Sequence, residues 1–190
     1  RDEGDPTVRF LTRDEADRLI AQQPLHLAEM ARFAVATGLR AGNVLGMKWA
    51  QIDFALRLAW ANPGDAKAGK AIGVPLNGDA LAVLKRQRGK HSEFVFTFRG
   101  SPLKRCSTKA WYRALERVGF DEPLRWHDWR HTWASWHAQT GTPSSVLQTL
   151  GGWSGPEMVN RYAHLSTEPL AQYVANSSMN RTKSGTVESE

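Results

Sequence analysis

The 190-residue chain holds a single cysteine, Cys106, and that scarcity excludes both a disulfide scaffold and a cysteine-ligated zinc module. It also lacks any apolar run approaching the ~18 residues that a membrane-crossing helix needs. The opening RDEGDPTVRF is polar and carries no apolar stretch of a secretory leader. These absences lead us to expect a soluble protein of a reducing, cytoplasmic interior with no membrane partner. No internal repeat is visible. Acidic residues are scarce in one long stretch: from Lys85 to Arg113 only Glu93 opposes nine lysines and arginines, a balance of +8 where the whole chain carries +6. A charge run is usually a solvated face, but with the rest of the chain close to neutral this one points to a polyanionic partner. The first residue is Arg1 and not Met, from which we expect a further domain upstream.

What is present suffices for one well-cored domain, since 41% of the residues are hydrophobic. Punctuation reads mainly as helix starts and stops. Thr12 followed by Glu15 is a capping-box pattern opening TRDEADRLIAQQ, with Ala16, Leu19 and Ile20 on one face. LHLAEMARFAVATG runs to a glycine stop at Gly38, and a short helix is expected from Arg40 to Lys48. Between Ile52 and Leu76 the period shifts: IDFALRLAWANP and AIGVPL read as short strands around the polar loop GDAKAGK, the one clear β region. Asn77 caps a helix through ALAVLKRQRGK, FVFTF adds a short extended piece, and Ser107 or Thr108 starts WYRALERVG. LRWHDWRHTWASWHAQ is helical up to Gly141, Thr142 caps the next helix with Pro143 at its first position, and Gly155-Pro156 begins another that runs through Tyr162. STEPLAQYVANS makes a last helix, after which too few apolar residues remain to pack. The expectation is a domain over 1–177 and a disordered tail over 178–190. Its class is α+β, mainly helical, with one small antiparallel sheet.

The densest chemical constellation is HDWRHTWASWH. On a helix His127, Arg130 and His131 fall at i, i+3 and i+4 and share a face. The pattern superficially copies the zinc motif HExxH, but it lacks the glutamate, and Arg130 would set a fixed cation beside a divalent metal. No metal is expected. Trp126, Trp129, Trp133 and Trp136 recur at helical spacing and read as core. An arginine, by contrast, offers a planar fork of donors matched to phosphate oxygens, and a histidine one turn away exchanges protons near neutral pH. That pair suits phosphoryl transfer.

Taken together, ATGLRAGN, HDWRHTWAS and LGGWSGPEMVNRYAHL resemble the tyrosine recombinase (phage integrase) family in motif order and spacing, from about Phe10 to about Leu170. The resemblance implies that family's catalytic-domain fold, with a three-stranded antiparallel sheet. It also implies a DNA strand-transferase that works without metal or nucleotide cofactor. By position in the motifs, the family's first arginine is Arg40, its second Arg130, and the histidine of HxxR is His127. Tyr162 in RYAHL matches the nucleophile, and Trp153, nine residues before it, takes the second His/Trp position. A lysine on the loop between two strands is Lys67 or Lys70, and the pattern before VPL selects Lys67. His131 recurs as a support for the site. Asn43 departs from the family, many of whose members carry an acid three positions after the first arginine to orient neighbouring basic groups.

Each implied role has a physical reason. Arg40 and Arg130 would grip the non-bridging oxygens of an anionic phosphodiester and offset the charge that builds during attack. Tyr162 would form a 3′-phosphotyrosine and free a 5′-hydroxyl, storing the bond energy so that strand exchange needs no ATP. A free tyrosine has a pKa of about 10, so its proton must leave, and His127 is the local acid or base. Lys67 would protonate the departing 5′-oxygen, and Trp153 would give one indole hydrogen bond plus packing. Gly151, Gly152, Gly155 and Pro156 break the helices around Tyr162, an expectation of a segment that moves. Lys85, Arg86, Arg88, Lys90, Lys104, Arg105 and Lys109 are the candidate DNA contacts.

The implied partner is double-stranded DNA, bound by a homotetramer on paired sites or by a monomer in isolation, with the protein nucleoid-associated when on DNA. The family's N-terminal core-binding domain is not within this chain. Three other functions compete: a type IB topoisomerase, a DNA-binding module without catalysis, and a zinc hydrolase.

Overall fold

The computed structural model of the chain describes residues 8–61, 71–120 and 123–166. Thr12 sets the first helix: its hydroxyl accepts the Glu15 amide at 3.2 Å while the Glu15 carboxylate accepts the Thr12 amide at 2.7 Å, opening α1 (Arg13–Ala21). Next, α2 (Leu25–Thr37) ends at Gly38, whose φ of 67° lies in the left-handed region that favours glycine. A Cβ at Gly38 would overlap the Trp133 ring, so this turn needs glycine for conformation and for space. The chain then enters α3 (Ala41–Leu45). That helix is shorter than the Arg40–Lys48 span expected: Arg40 is its extended N-cap, Gly46 its C-cap, and Lys48 is extended and bridged to Phe94.

β1 (Ile52–Asp53), β2 (Leu58–Ala61) and β3 (Ile72–Pro75) form an antiparallel sheet in that order, with Ala59 opposite Ile52 and Val74, and Trp60 opposite Gly73. Alternation turns Ala59, Ala61 and Val74 to the core and leaves Trp60 exposed on the outer face. Residues 62–70, with Lys67, lie outside the described residues. Asn77 caps α4 (Gly78–Gln87) through the Ala80 amide at 2.9 Å. FVFTF does more than add an extended piece: β4 (Thr97–Phe98) turns back on β5 (Ser101–Pro102) as a second, two-stranded sheet. Thr108 caps α5 (Lys109–Val118), which stops at the left-handed Gly119.

Helix α6 (Asp128–Gln139) runs through the interior, with nine of its twelve residues buried, and packs on α2 and on α7 (Ser144–Gly151). Of its two buried hydroxyls, that of Thr132 is satisfied and that of Ser135 is not. Thr132 donates to the Asp128 carbonyl at 2.7 Å and accepts the Leu11 amide at 3.0 Å, while the Trp136 indole donates to the Leu11 carbonyl at 2.9 Å.

Two expectations at this end are corrected. Thr142 does not cap α7: its hydroxyl pairs with His137 Nδ1 at 2.9 Å, and Pro143 is the N-cap. The helix opened by Pro156 is only α8 (Glu157–Asn160); Tyr162 follows it and caps a 3-10 turn at Ala163–Leu165.

Among the described residues, apolar side chains gather in two clusters. The larger joins Leu19, Leu27, Phe33, Leu84, Trp111 and Trp129 from α1, α2, α4, α5 and the start of α6 with Leu11, Phe96 and Trp126 from the segments between helices. The smaller joins Trp133, Ala134, Ala138, Leu147, Trp153, Val159 and Tyr162. The expected tryptophan stripe is therefore divided: α6 sends Trp129 into one cluster and Trp133 into the other, while half-buried Trp136 packs against the first. Among the described residues no helix is long and apolar enough to cross a membrane. The last helix expected over STEPLAQYVANS and the tail at 178–190 lie outside them.

Candidate active site

The first turn of α6 carries the site. Arg130 is buried, and its Nη1 donates to the Gly38 carbonyl at 2.6 Å while Nη2 donates to the Gly151 carbonyl at 2.5 Å. Those oxygens belong to the C-terminal ends of α2 and α7, where helix dipoles present partial negative charge. A buried cation is thus held by two helix ends without a carboxylate. Its Cζ lies 4.7 Å from the centroid of the Trp153 ring, a cation–π contact. A side chain at Gly151 would overlap that ring, so glycine lets the indole lie against the carbonyl-bearing backbone.

Tyr162 also stacks on Trp153, 6.0 Å away between centroids at an interplanar angle of 25°. The tyrosine is 1% exposed, and its Oη is 2.5 Å from His131 Nδ1. His131 in turn meets His127 edge to face at 5.0 Å. Arg130, Trp153, Tyr162, His131 and His127 therefore make one continuous run of contacts. His127 does not lie within α6 with the other two; it is the N-cap residue and is exposed, while Arg130 and His131 are buried. Arg40, the N-cap of α3, is half-buried, and its charge acts on both Arg130 and His127.

Burial dominates the electrostatics. It pushes the Arg130 pKa down to about 10, with the Arg40 cation adding to the shift and Tyr162 opposing it, so Arg130 stays charged at neutral pH. Burial raises the Tyr162 phenol to about 12, against the lowering pull of Arg130 and Arg161, so the free protein keeps it protonated. His131 falls to about 4, from burial first and then the charge of His127, with Arg125 and Arg161 adding and Asp128 opposing. His127, exposed at the rim but partly desolvated by its neighbours, is lowered too, by that desolvation and then by Arg130. Among the described residues no group of three or more His, Cys, Asp or Glu is placed to hold a metal.

Sequence reasoning named every member of this cluster but missed two relations. It gave the phenol to His127, whereas the hydroxyl lies on His131. It also passed over Asp128, buried beside both histidines, whose Oδ2 accepts the Arg125 amide at 2.7 Å and whose Oδ1 faces Arg125 Nη2 at 3.7 Å. The available signal was a run of polar residues on a helix with almost no solvent face. Lys67 lies outside the described residues.

The basic run spreads over the end of α4, the β4–β5 hairpin and the start of α5. Lys85, Lys104, Arg105 and Lys109 are exposed. Arg86 has a structural partner: its Nε meets Glu29 at 2.8 Å, and that buried carboxylate also takes Arg32 at 2.9 Å. Lys90 donates to Gln87 at 3.2 Å, and Arg88 lies 5.2 Å from the Phe54 ring centroid.

A sequence profile described as the phage integrase family matches residues 9–168. The chain belongs to that family. The integrase of Salmonella phage P22 is 41% identical over 203 residues, covering 94% of this chain and 52% of the relative. The tyrosine recombinase XerD of Lacticaseibacillus casei is 29% identical, covering 84% of this chain and 59% of the relative. The chain thus spans about half the length of the phage P22 integrase. In fold, it superposes on the catalytic domain of bacteriophage HP1 integrase with a TM-score of 0.68 at 24% identity, covering 88% of this chain and 94% of that one. The expected fold class stands: a phage integrase catalytic-domain fold, mainly helical, with a small three-stranded antiparallel sheet.

Proposed function

We propose that this chain is the strand-cleaving part of a site-specific DNA recombinase, acting through a 3′-phosphotyrosine on Tyr162. The carrying observation is the contact run from Arg130 through Trp153 and Tyr162 to His131 and His127, with Arg40 within electrostatic reach. In this reading Arg130 and Arg40 hold the non-bridging phosphate oxygens. The carbonyls that fix Arg130 also fix where the phosphate must sit. Tyr162 Oη attacks phosphorus, the bond from phosphorus to the 5′-oxygen breaks, and Lys67 gives that oxygen its proton. The phenolic proton is released as the bond to phosphorus forms and is taken up by exposed His127, which can pass it to solvent, while Trp153 backs the phenol ring. Charge is neutralised by guanidinium groups, so no step calls for a metal or a nucleotide.

Double-stranded DNA is the proposed partner, with Lys85, Lys104, Arg105 and Lys109 as backbone contacts and a homotetramer on paired sites as the working assembly. Lambda integrase, of the same fold, has been solved as a dimer bound to a core site, which supports DNA as the ligand. Where Arg86 is paired with Glu29, its contribution to DNA binding is expected to be the smallest of the patch. The test is covalent capture on a pool of nicked duplexes of randomised sequence. Wild-type chain retains labelled DNA through denaturation and Tyr162→Phe does not. DNA binding without any adduct would favour a non-catalytic module, and relaxation of supercoiled plasmid by the monomer would favour a type IB topoisomerase.

A further inference from the structure

The roles above leave one contact unused. His127 is the histidine that the motif nominates for the phenol, yet it is exposed and precedes α6, while Tyr162 Oη is 2.5 Å from Nδ1 of His131. We propose that His131 is the positioning residue of the nucleophile: its Nδ1 ties the Tyr162 hydroxyl to α6 and thereby aims the phenolic oxygen at the phosphate held by Arg130, its neighbour in sequence. This rests on the reading of Tyr162 as nucleophile.

Three observations carry it. First, the bond is shielded: Tyr162 is 1% exposed and His131 9%, so water does not compete for either partner. Second, stacking on Trp153 fixes the plane of the ring but not its rotation within that plane, and the hydroxyl contact removes that remaining freedom. Third, Arg130 and His131 are consecutive on a helix locked into both apolar clusters, so phosphate grip and nucleophile grip share one rigid frame. The bond works in either tautomer, because Nδ1 accepts from the phenol when Nε2 carries the proton and donates to it when Nδ1 does. Burial and nearby cations keep the imidazole neutral, and burial keeps the phenol protonated against the lowering pull of Arg130 and Arg161, which preserves the bond at working pH.

The test compares His131→Phe with His131→Asn. Phenylalanine keeps a ring of similar size and removes the polar atom. Asparagine restores a donor and an acceptor near the Nδ1 position, so it serves either tautomer. Single-turnover adduct formation on the nicked-duplex pool is read beside DNA affinity and thermal midpoint. The expected result is a loss of about 10²-fold in rate for the Phe variant at unchanged affinity, with Asn recovering to within about tenfold of wild type. Should the Phe variant not fold, His131→Gln replaces it, since its amide sits one carbon too far out, and the same loss is expected.

Repeating the reaction with sulfur in place of the bridging 5′-oxygen separates nucleophile from leaving group, because a thiolate, with a conjugate acid of pKa about 8.5, departs without a proton. The Phe variant should remain slow on it. Wild-type rates in both variants, equal losses in Phe and Asn, or rescue of Phe by sulfur would each overturn the proposal. An adduct surviving in Tyr162→Phe would instead overturn the reading beneath it.

Discussion

The two apolar clusters of this domain differ in what they contain. The larger is almost wholly aliphatic and aromatic hydrocarbon from the helices α1 to α6 and the three-stranded sheet, and a buried carboxylate near it, Glu29, is closed off by Arg32 and Arg86. The smaller is built around two tryptophans and a tyrosine, and its edge is polar: Arg130 lies over Trp153, and His131 meets the phenol. The first cluster holds the chain together. The second, at about a quarter of the size, holds the proposed nucleophile in place. Sharing α6 between them transmits the rigidity of the one to the geometry of the other.

The largest expected effect that separates them is chemical. Tyr162→Phe should abolish adduct formation, a loss on the order of 10⁵-fold or more, while costing only about 1 kcal/mol of stability for the missing hydrogen bond. Chemical denaturation beside the capture assay checks both halves. Next, Phe33→Ala in the larger cluster should cost about 3–5 kcal/mol yet leave the cleavage rate per folded molecule unchanged, whereas Leu147→Ala should lower that rate about tenfold by loosening the cluster that holds Tyr162. Equal effects on rate would erase the distinction.

The two arginines sharpen it further. Arg40→Ala and Arg130→Ala should each slow cleavage by about 10²–10³-fold. Only the second should also destabilise, by about 1–3 kcal/mol, because it leaves the Gly38 and Gly151 carbonyls without their buried donor. The smallest effect is on pH. With His131 lowered to about 4 in the folded state, the unfolded chain binds a proton there between that value and its ordinary 6.5 while the folded chain does not. Stability therefore falls as pH drops through this window, by about 2 kcal/mol after solvent screening. His131→Asn should flatten that part of the profile in thermal melts.

Much of this was legible in the residues because local chemistry decided it. Thr12 and Glu15, Gly38, Asn77 and Thr108 fixed helix ends through caps that depend on a few neighbouring atoms. The motif order named the residues that the fold brings together at the candidate site, Lys67 lying outside the described residues. What escaped were relations set by packing. Thr142 caps nothing because His137 claims its hydroxyl, the helix after Pro156 stops short of Tyr162, and the β4–β5 hairpin is too short to announce itself by alternation. Which histidine meets the phenol depended on the same kind of fact: the turn of α6 faces His131 inward and leaves His127 at the rim, and no spacing rule distinguishes the two.

Peptide mapping of the trapped adduct addresses the central claim most directly, since the chain has only three tyrosines, Tyr112, Tyr162 and Tyr173. After nuclease trimming, the mass of one nucleotide 3′-phosphate should remain on the peptide that contains Tyr162 and on no other. A modified Tyr112 or Tyr173 peptide, or DNA bound tightly with all three unmodified, would contradict the account.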